Sequence, residues 1–163
     1  MAVAKKKKTS ARPAKKTSNK PGARPAPKTG EIFVLYCDGA CRGNPGPSSV
    51  GAVLYRGEEK AGEISESIGH ATNNVAEYTA LIRGLEMARS LNDGSHPLEI
   101  RMDSELAVRQ VLGEYKVKNP ALQNLHSTVR QTLSHFRKWT IKHVPREQNR
   151  EADALANRAL DNK

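Results

Sequence analysis

The first half of the chain carries short apolar runs separated by polar segments. Residues 32–36 and 50–55 are almost continuously apolar and rich in β-branched and aromatic side chains, a composition typical of strands buried on both faces. Residues 39–47 between them are rich in glycine and proline, which favour a turn. Apolar and polar residues then alternate over residues 63–70. The pattern therefore predicts three antiparallel strands, with the third at a sheet edge.

Helical spacing dominates the rest of the chain. Apolar residues recur every three or four positions over residues 75–91, which predicts an amphipathic helix. A short helix is predicted after Ser104, which is suited to be its N-cap. A longer helix is predicted from Pro120, with Asn119 as its N-cap and an apolar stripe that continues to Phe136. A last helix is predicted around residues 152–160.

Two further strands are predicted at residues 98–102 and 139–144, which gives the order β-β-β-α-β-α-α-β-α. Right-handed crossovers make these later strands parallel to the first. The sequence therefore predicts an α/β fold in which a five-stranded mixed sheet is flanked by helices. The strand ends that carry Asp38 and Asp103 then lie at one edge of the sheet, where open α/β sheets place their functional sites.

The net positive charge belongs entirely to the first 30 residues. They contain ten Lys or Arg and no acid, whereas residues 31–163 hold 17 basic and 17 acidic residues. Four prolines and few large apolar residues predict that residues 1–30 form a disordered tail beside a single catalytic domain at residues 31–163. We expect the tail to contact nucleic-acid phosphates in a salt-dependent manner. A solubilising extension is the alternative.

Composition also argues against several classes of protein. No run approaches 18 apolar residues, so no membrane span is expected, and the basic N-terminus lacks the apolar core of a secretory signal. The only cysteines, Cys37 and Cys41, do not make a zinc site or a disulfide framework. Reduced thiols favour a cytoplasmic protein. No repeat or coiled-coil heptad indicates a structural role, and a monomer is expected.

Four carboxylates fall at comparable places in this pattern: Asp38 and Asp103 at strand ends, and Glu77 and Asp153 early in helices. Each has an ordinary explanation alone, as a turn residue, a helix-dipole partner or a cap. Together they are electrostatically costly unless a cation binds between them. Oxygen ligands without a His or Cys cluster favour Mg²⁺ or Mn²⁺ over zinc, and such a site suits two-metal phosphodiester chemistry.

Four segments of the chain resemble those of the ribonuclease HI family. They read CDGACRGNPGPSSVGAV, TNNVAEYTALIRGL, MDSE and HVPREQNREADALA, and they follow the family's order over about residues 31–160. The resemblance implies the ribonuclease H fold and endonucleolytic cleavage of the RNA strand in RNA/DNA hybrids. It also implies dependence on Mg²⁺, with Mn²⁺ as a possible substitute, and products with 3′-hydroxyl and 5′-phosphate ends.

The resemblance also implies roles for individual residues. It places two metal ions on four ligands: Asp38, Glu77, Asp103 and Asp153. It places minor-groove contacts to the hybrid on three amides: Asn44, Asn73 and Asn74. The backbone from Gly39 to Cys41 falls where ribose 2′-hydroxyls are read, and the 2′-hydroxyl is the group that distinguishes RNA from DNA.

The chain departs from the family's best-known bacterial members at three places. Glu105 stands where those members have Gln, which puts one base contact in doubt. The basic protrusion between the middle helices is missing, because residues 113–118 form only a short loop. The last loop is of the VPRE type. His143 has the spacing of the family's proton-shuttling histidine, whereas in VPRE-type members an arginine, here Arg146, takes that role. Both also have ordinary explanations, as a structural histidine and a surface phosphate contact.

Three functions remain open at this level. The leading hypothesis is an endoribonuclease acting on RNA/DNA hybrids. The alternatives are a catalytically inactive nucleic-acid-binding module with the same fold, and a related nuclease acting on duplex RNA. The four retained acids favour an enzyme, and the segments that contain Asn44, Asn73 and Asn74 favour hybrid cleavage.

Overall fold

The computed structural model describes residues 31–162, so the predicted tail of residues 1–30 lies outside the described residues. The elements follow the predicted order: β1 Phe33–Cys41, β2 Gly46–Arg56, β3 Glu59–Ala71, α1 Asn73–Leu91, β4 Leu98–Met102, α2 Glu105–Val111, α3 Pro120–Leu133, β5 Trp139–His143, a 3-10 turn Arg146–Gln148 and α4 Arg150–Asp161. In the described part of the chain, no helix is long and apolar enough to span a membrane.

All five strands form one mixed sheet in the order β3-β2-β1-β4-β5. The first three strands are antiparallel neighbours, and β4 and β5 run parallel to β1. The predicted fold class and the edge position of β3 are therefore confirmed. The helices lie on both sides of the sheet, with α1 packed against β1, β2 and α3, and α4 packed against β1, β2 and β3.

The first hairpin is tighter than the sequence predicts. β1 continues through Asp38 to Cys41, and β2 begins at Gly46, so the turn spans residues 42–45 rather than 39–47. The small residues after Asp38 still pair with β2, and the N–H of Arg42 donates to Pro47 O at 2.8 Å. The prediction that Asp38 ends its strand is thus wrong for the pairing of β1 with β2, because the small side chains after Asp38 allow this pairing to continue to Cys41.

Helix α1 begins two residues before the predicted start. Thr72 is its N-cap, and the Thr72 hydroxyl accepts a hydrogen bond from Val75 N at 3.2 Å. The cap moves Glu77 out of the first turn, where the sequence predicted it, and no acid lies in that turn. A favourable interaction with the helix dipole, which is strongest in the first turn, therefore explains Glu77 poorly.

The caps predicted for α2 and α3 are present. The Ser104 hydroxyl accepts from Ala107 N at 3.3 Å, and the Asn119 side chain accepts from Ala121 N at 2.8 Å. Helix α3 ends at Leu133, yet Phe136 stays in the core at 4% exposure. The short connection from α2 to α3 agrees with the absence of a protrusion there.

Candidate active site

Asp38 and Asp103 come together because β1 and β4 are parallel neighbours. The pairing between β1 and β4 ends at Cys37 and Met102, and each aspartate follows that last pair by one residue. Asp38 is 6% exposed, and Asp103 is partly buried. The predicted meeting of these two acids at one sheet edge is therefore confirmed.

Glu77 reaches the same edge because α1 rests directly on β1. A Cβ at position 39 would overlap the backbone of Ala76 and lie 2.5 Å from Glu77 N. Only glycine allows this approach, which seats the second turn of α1 against the strand that carries Asp38. Gly39 thus positions a candidate ligand, in addition to its expected role in contacting ribose.

Asp153 reaches the site from the opposite face of the sheet. Gly51 is the β2 partner of Asp38, and a Cβ at Gly51 would lie 2.5 Å from Ala156 N and would overlap the backbone of Ala152. Helix α4 therefore packs directly on the strand next to Asp38. Asp153 lies in the first turn of α4 and is partly buried.

Asn149 is a buried site residue that the sequence reasoning missed. It is 1% exposed, and its Nδ2 donates to Cys37 O at 2.9 Å, which ties the start of α4 to β1 beside Asp38. Its Oδ1 has no hydrogen-bond partner among the described residues. An asparagine before a helix reads as an N-cap, but this side chain makes no capping bond.

The electrostatics of Asp38 show that the other three acids surround it. The pKa of Asp38 is raised to about 9. The largest cause is burial, the next is the charge of Asp103, and smaller contributions come from a hydrogen bond with Asp153 and from the charges of Asp153 and Glu77. Burial also raises the pKa of Glu77; the hydroxyl of Ser104 counteracts this by hydrogen bonding, and the charge of Asp103 adds to the rise. The arrangement therefore opposes full ionisation of its own carboxylates.

These residues suit a hard divalent cation. Carboxylate oxygens are the ligands that Mg²⁺ prefers, and a cation would offset the repulsion that raises the pKa of Asp38. Within residues 31–162, no three His, Cys, Asp or Glu side chains already stand as a group that could hold a metal ion. Glu77, Asp103 and Asp153 thus lie around Asp38, but in the described residues the side chains are not close enough together to form a complete set of metal ligands.

The asparagines expected to contact substrate lie beside the hairpin turn. Asn44 Oδ1 accepts from Asn73 N at 3.0 Å, which joins the turn of residues 42–45 to the start of α1. Asn73 and Asn74 are exposed, and Cys41 is partly exposed with its thiol 3.3 Å from Ala71 O. The structure therefore places Asn44, Asn73, Asn74 and Cys41, the residues predicted to contact substrate, together on the surface next to Gly39.

His143 and Glu105 lie near each other beside the carboxylates. His143 is exposed at the end of β5, where it pairs with Met102. The pKa of Glu105 is lowered mainly by its bond to Arg109, 2.8 Å away, and to a small extent by His143. Glu105 is thus paired with Arg109 on the surface, and its contact with a base stays a prediction.

Arg146 lies in the 3-10 turn before α4, next to Asp153. Its Nη2 is 3.7 Å from Asp153 Oδ1, and its side chain is 78% exposed. An exposed guanidinium next to a candidate ligand is able to contact a phosphate or to interact with Asp153 itself. His143 and Arg146 therefore flank the carboxylates from β5 and from the loop before α4.

Comparison with known proteins gives a consistent result. Residues 36–159 match the protein family described as reverse transcriptase-like. The chain is 46% identical over 136 residues to "Ribonuclease HI" of Halobacterium salinarum, covering 83% of this chain and 67% of that relative. The crystal structure of RNase H1 from the same organism has a TM-score of 0.77 at 44% identity and is covered over 99% of its length, against 81% of this chain.

Two other relatives extend the comparison. A bifunctional protein of Mycobacterium tuberculosis is 44% identical over 130 residues, which cover 78% of this chain but 35% of that protein. The chain thus spans about a third of this relative. LC11-RNase H1, solved in complex with an RNA/DNA hybrid, has a TM-score of 0.76 at 42% identity, covering 80% of this chain and 97% of that one.

Proposed function

The chain belongs to the ribonuclease H family, and on that premise we propose that it is an endoribonuclease that hydrolyses the RNA strand of RNA/DNA hybrids. The observation that carries the proposal is the gathering of three acids around the buried carboxylate of Asp38. A binding module without catalysis has no use for a cluster that destabilises its own folded state. This argues against the inactive alternative.

We propose that Asp38, Glu77, Asp103 and Asp153 hold two Mg²⁺ ions, which Mn²⁺ is able to replace. When bound, Mg²⁺ supplies positive charge at the scissile phosphate and lowers the pKa of the attacking water. Gly39 and Gly51 keep α1 and α4 close enough to the sheet for Glu77 and Asp153 to take part. We expect products with 3′-hydroxyl and 5′-phosphate ends.

We propose that the surface beside the carboxylates makes the protein selective for a hybrid over other duplexes. The side-chain amides of Asn73 and Asn74 are exposed and suited to accept or donate hydrogen bonds in a minor groove. The main-chain N–H of Asn73 donates to Asn44 Oδ1, which holds the start of α1 against the hairpin turn. The backbone of residues 39–41 lies next to Asp38 and is suited to contact ribose 2′-hydroxyls. We propose that these groups bind the RNA strand and set its register.

We propose different roles for the two groups that flank the site. His143, exposed at the end of β5, transfers a proton, and the guanidinium of Arg146 orients Asp153 or a phosphate. The free thiols of Cys37 and Cys41 suit a reducing compartment, so we place the protein in the cytoplasm. We expect it to act as a monomer.

One assay tests the proposal. The full chain is incubated with an end-labelled RNA/DNA hybrid, duplex RNA and duplex DNA of one sequence, with Mg²⁺, Mn²⁺ or EDTA. We expect internal cleavage of the RNA strand of the hybrid with either ion and none in EDTA. Binding of the hybrid without cleavage under all conditions would support the inactive module, and equal cleavage of duplex RNA would support the second alternative.

A further inference from the structure

Helix α4 leaves part of one sheet face open. It packs over β1, β2 and β3, on the face to which Asp38 points, as the close approach at Gly51 shows. Strand alternation places Ile32, Val34 and Tyr36 on this same face. Ile32 is 45% exposed. An apolar strip therefore runs along β1 from the point where the described chain begins towards Asp38.

A cleft of about 300 Å³ lies on this face, between the sheet and the segment that leads into α4. Its lining is formed by Tyr36, Tyr55, Glu147, Gln148, Arg150 and Glu151. The two tyrosine rings meet edge to face, with centroids 6.3 Å apart and planes at 87°. The floor of the cleft is thus aromatic, and its rim is polar.

Hydrogen bonds fix both tyrosine rings. The Tyr55 hydroxyl donates to Glu151 Oε1 at 2.6 Å. The Tyr36 hydroxyl accepts from Arg101 Nη1 at 2.6 Å, and the Arg101 guanidinium lies 5.4 Å from the centre of the Tyr36 ring. A ligand that packs on these rings would lose little free energy in ordering them.

The chain itself supplies a segment that matches this cleft. Residues 21–28 read PGARPAPK and contain Pro21, Pro25 and Pro27 together with Arg24 and Lys28. Proline-rich segments bind grooves lined by aromatic residues, because their restricted backbone loses little entropy on binding. We propose that residues 21–28 dock on the Tyr36–Tyr55 cleft of the same molecule.

Chain length and charge support this occupant. At ~3.3 Å per residue, the segment is close enough in sequence to Ile32 to reach Tyr36, four residues further along β1. Of the two carboxylates in the cleft lining, Glu151 already pairs with Lys60 Nζ at 2.5 Å, which leaves Glu147 as the carboxylate that can meet a basic segment. Residues 1–30 carry ten basic residues and no acid. Within residues 31–162, Glu147 makes no ion pair, so it is free to meet Arg24 or Lys28.

Docking of residues 21–28 would also determine where the lysines that precede Pro21 lie. The apolar strip leads from Ile32 towards Asp38, so a chain lying on it would carry the lysines that precede Pro21 towards the carboxylate edge. The docking itself does not depend on catalysis, and it is tested without substrate.

Photo-crosslinking of the full chain tests the proposal. With Ala26→p-benzoylphenylalanine, irradiation followed by mass spectrometry should give intramolecular crosslinks to the peptides that contain Tyr36, Tyr55 or residues 147–151. The same photoreactive residue at Ala11, outside the proline-rich segment, should not label these peptides. Crosslinks from position 26 that map mainly to α1, to α3 or to a second copy of the chain would overturn the proposal.

Charge reversal provides a matched control. Glu147→Lys should lower the yield of the position-26 crosslink by about threefold, the effect expected for one exposed charge pair. Glu86→Lys makes the same change at an exposed position on α1 and should leave the yield unchanged. Replacing Pro21, Pro25 and Pro27 by Ala should shift the backbone amide resonances of Tyr36 and Tyr55, and Pro13→Ala should not. Equal yields for the two Lys variants, or no resonance shift, would refute docking at this cleft.

Discussion

Asp38 and Asp103 lie side by side, each one residue beyond Cys37 and Met102, which form the last pair between the parallel strands β1 and β4. The pairing of β1 and β4 thus forces two carboxylates together at a buried sheet edge. The folded protein tolerates this although burial and the neighbouring charge raise the pKa of Asp38. Titratable groups held in such an unfavourable arrangement are typical of functional sites.

Asp38→Asn should abolish most hybrid cleavage while keeping the fold. The substitution removes the charge at the centre of the four acids and changes the side-chain volume little. We expect the turnover number to fall by at least about 10²-fold, since several kcal/mol of charge stabilisation is lost. Hybrid cleavage and circular dichroism measured on the same preparation check this. Cleavage near the wild-type rate by a folded variant would contradict the assignment of Asp38.

The metal-free protein should become less stable as pH rises. The pKa of Asp38 is raised in the folded state, so the folded protein keeps a proton that the unfolded chain releases. That stabilisation is fully present below the unfolded-state pKa and is lost as pH approaches about 9. Urea unfolding in EDTA between about pH 5 and pH 9 measures the slope.

The control for this pH dependence is Asp38→Asn, which should show a shallower slope in EDTA because it has no proton to lose at that position. Saturating Mg²⁺ should raise the stability of the wild type most at high pH, where the repulsion is greatest. Identical slopes for the wild type and Asp38→Asn would show that Asp38 is not the group responsible.

Gly51→Ala should destabilise the protein and also lower its activity. A Cβ at this position would lie 2.5 Å from Ala156 N, so α4 must move away from β2 and take Asp153 with it. Overpacking of this kind costs about 1–3 kcal/mol. Gly62→Ala is the matched control, because its Cβ would meet side chains rather than backbone: the flexible Met87 at 3.0 Å and Leu91 Cδ1 at 3.5 Å. Denaturant unfolding and hybrid cleavage distinguish the two variants.

His143→Ala and Arg146→Ala should show which of these two residues contributes to the reaction. If His143 transfers protons, its loss should lower turnover by roughly 10²-fold and change the pH–rate profile. If Arg146 acts through Asp153, 3.7 Å away, its substitution should be the more damaging one. Lys142→Ala, exposed on the same strand as His143, is the control. Both variants within about twofold of the wild type would remove these residues from the mechanism.

Deleting residues 1–30 should weaken hybrid binding mainly at low salt. These residues carry the whole net charge of +10, and cations that neutralise phosphates release counterions. The slope of log affinity against log salt should therefore flatten. Turnover at saturating substrate should hardly change, since no group of the reaction is lost. A salt titration of affinity for both proteins checks this, and equal slopes would favour a solubilising role.

The sequence by itself determined the element order, the mixed sheet and the four candidate acids. Periods of two and of three to four residues are local properties, so they indicate each strand and helix without knowledge of its neighbours. The caps at Ser104 and Asn119 were predictable for the same reason, because each cap bonds to residues close by in the chain.

Only the tertiary structure decided how the site is assembled. The continuation of β1 through Asp38 depends on pairing with β2, and the bond from Asn149 to Cys37 O joins residues 112 positions apart. The need for glycine at positions 39 and 51 arises from helices packed against them, which no local pattern reveals. These features rest on contacts between distant segments, and such contacts are defined only when the chain is folded.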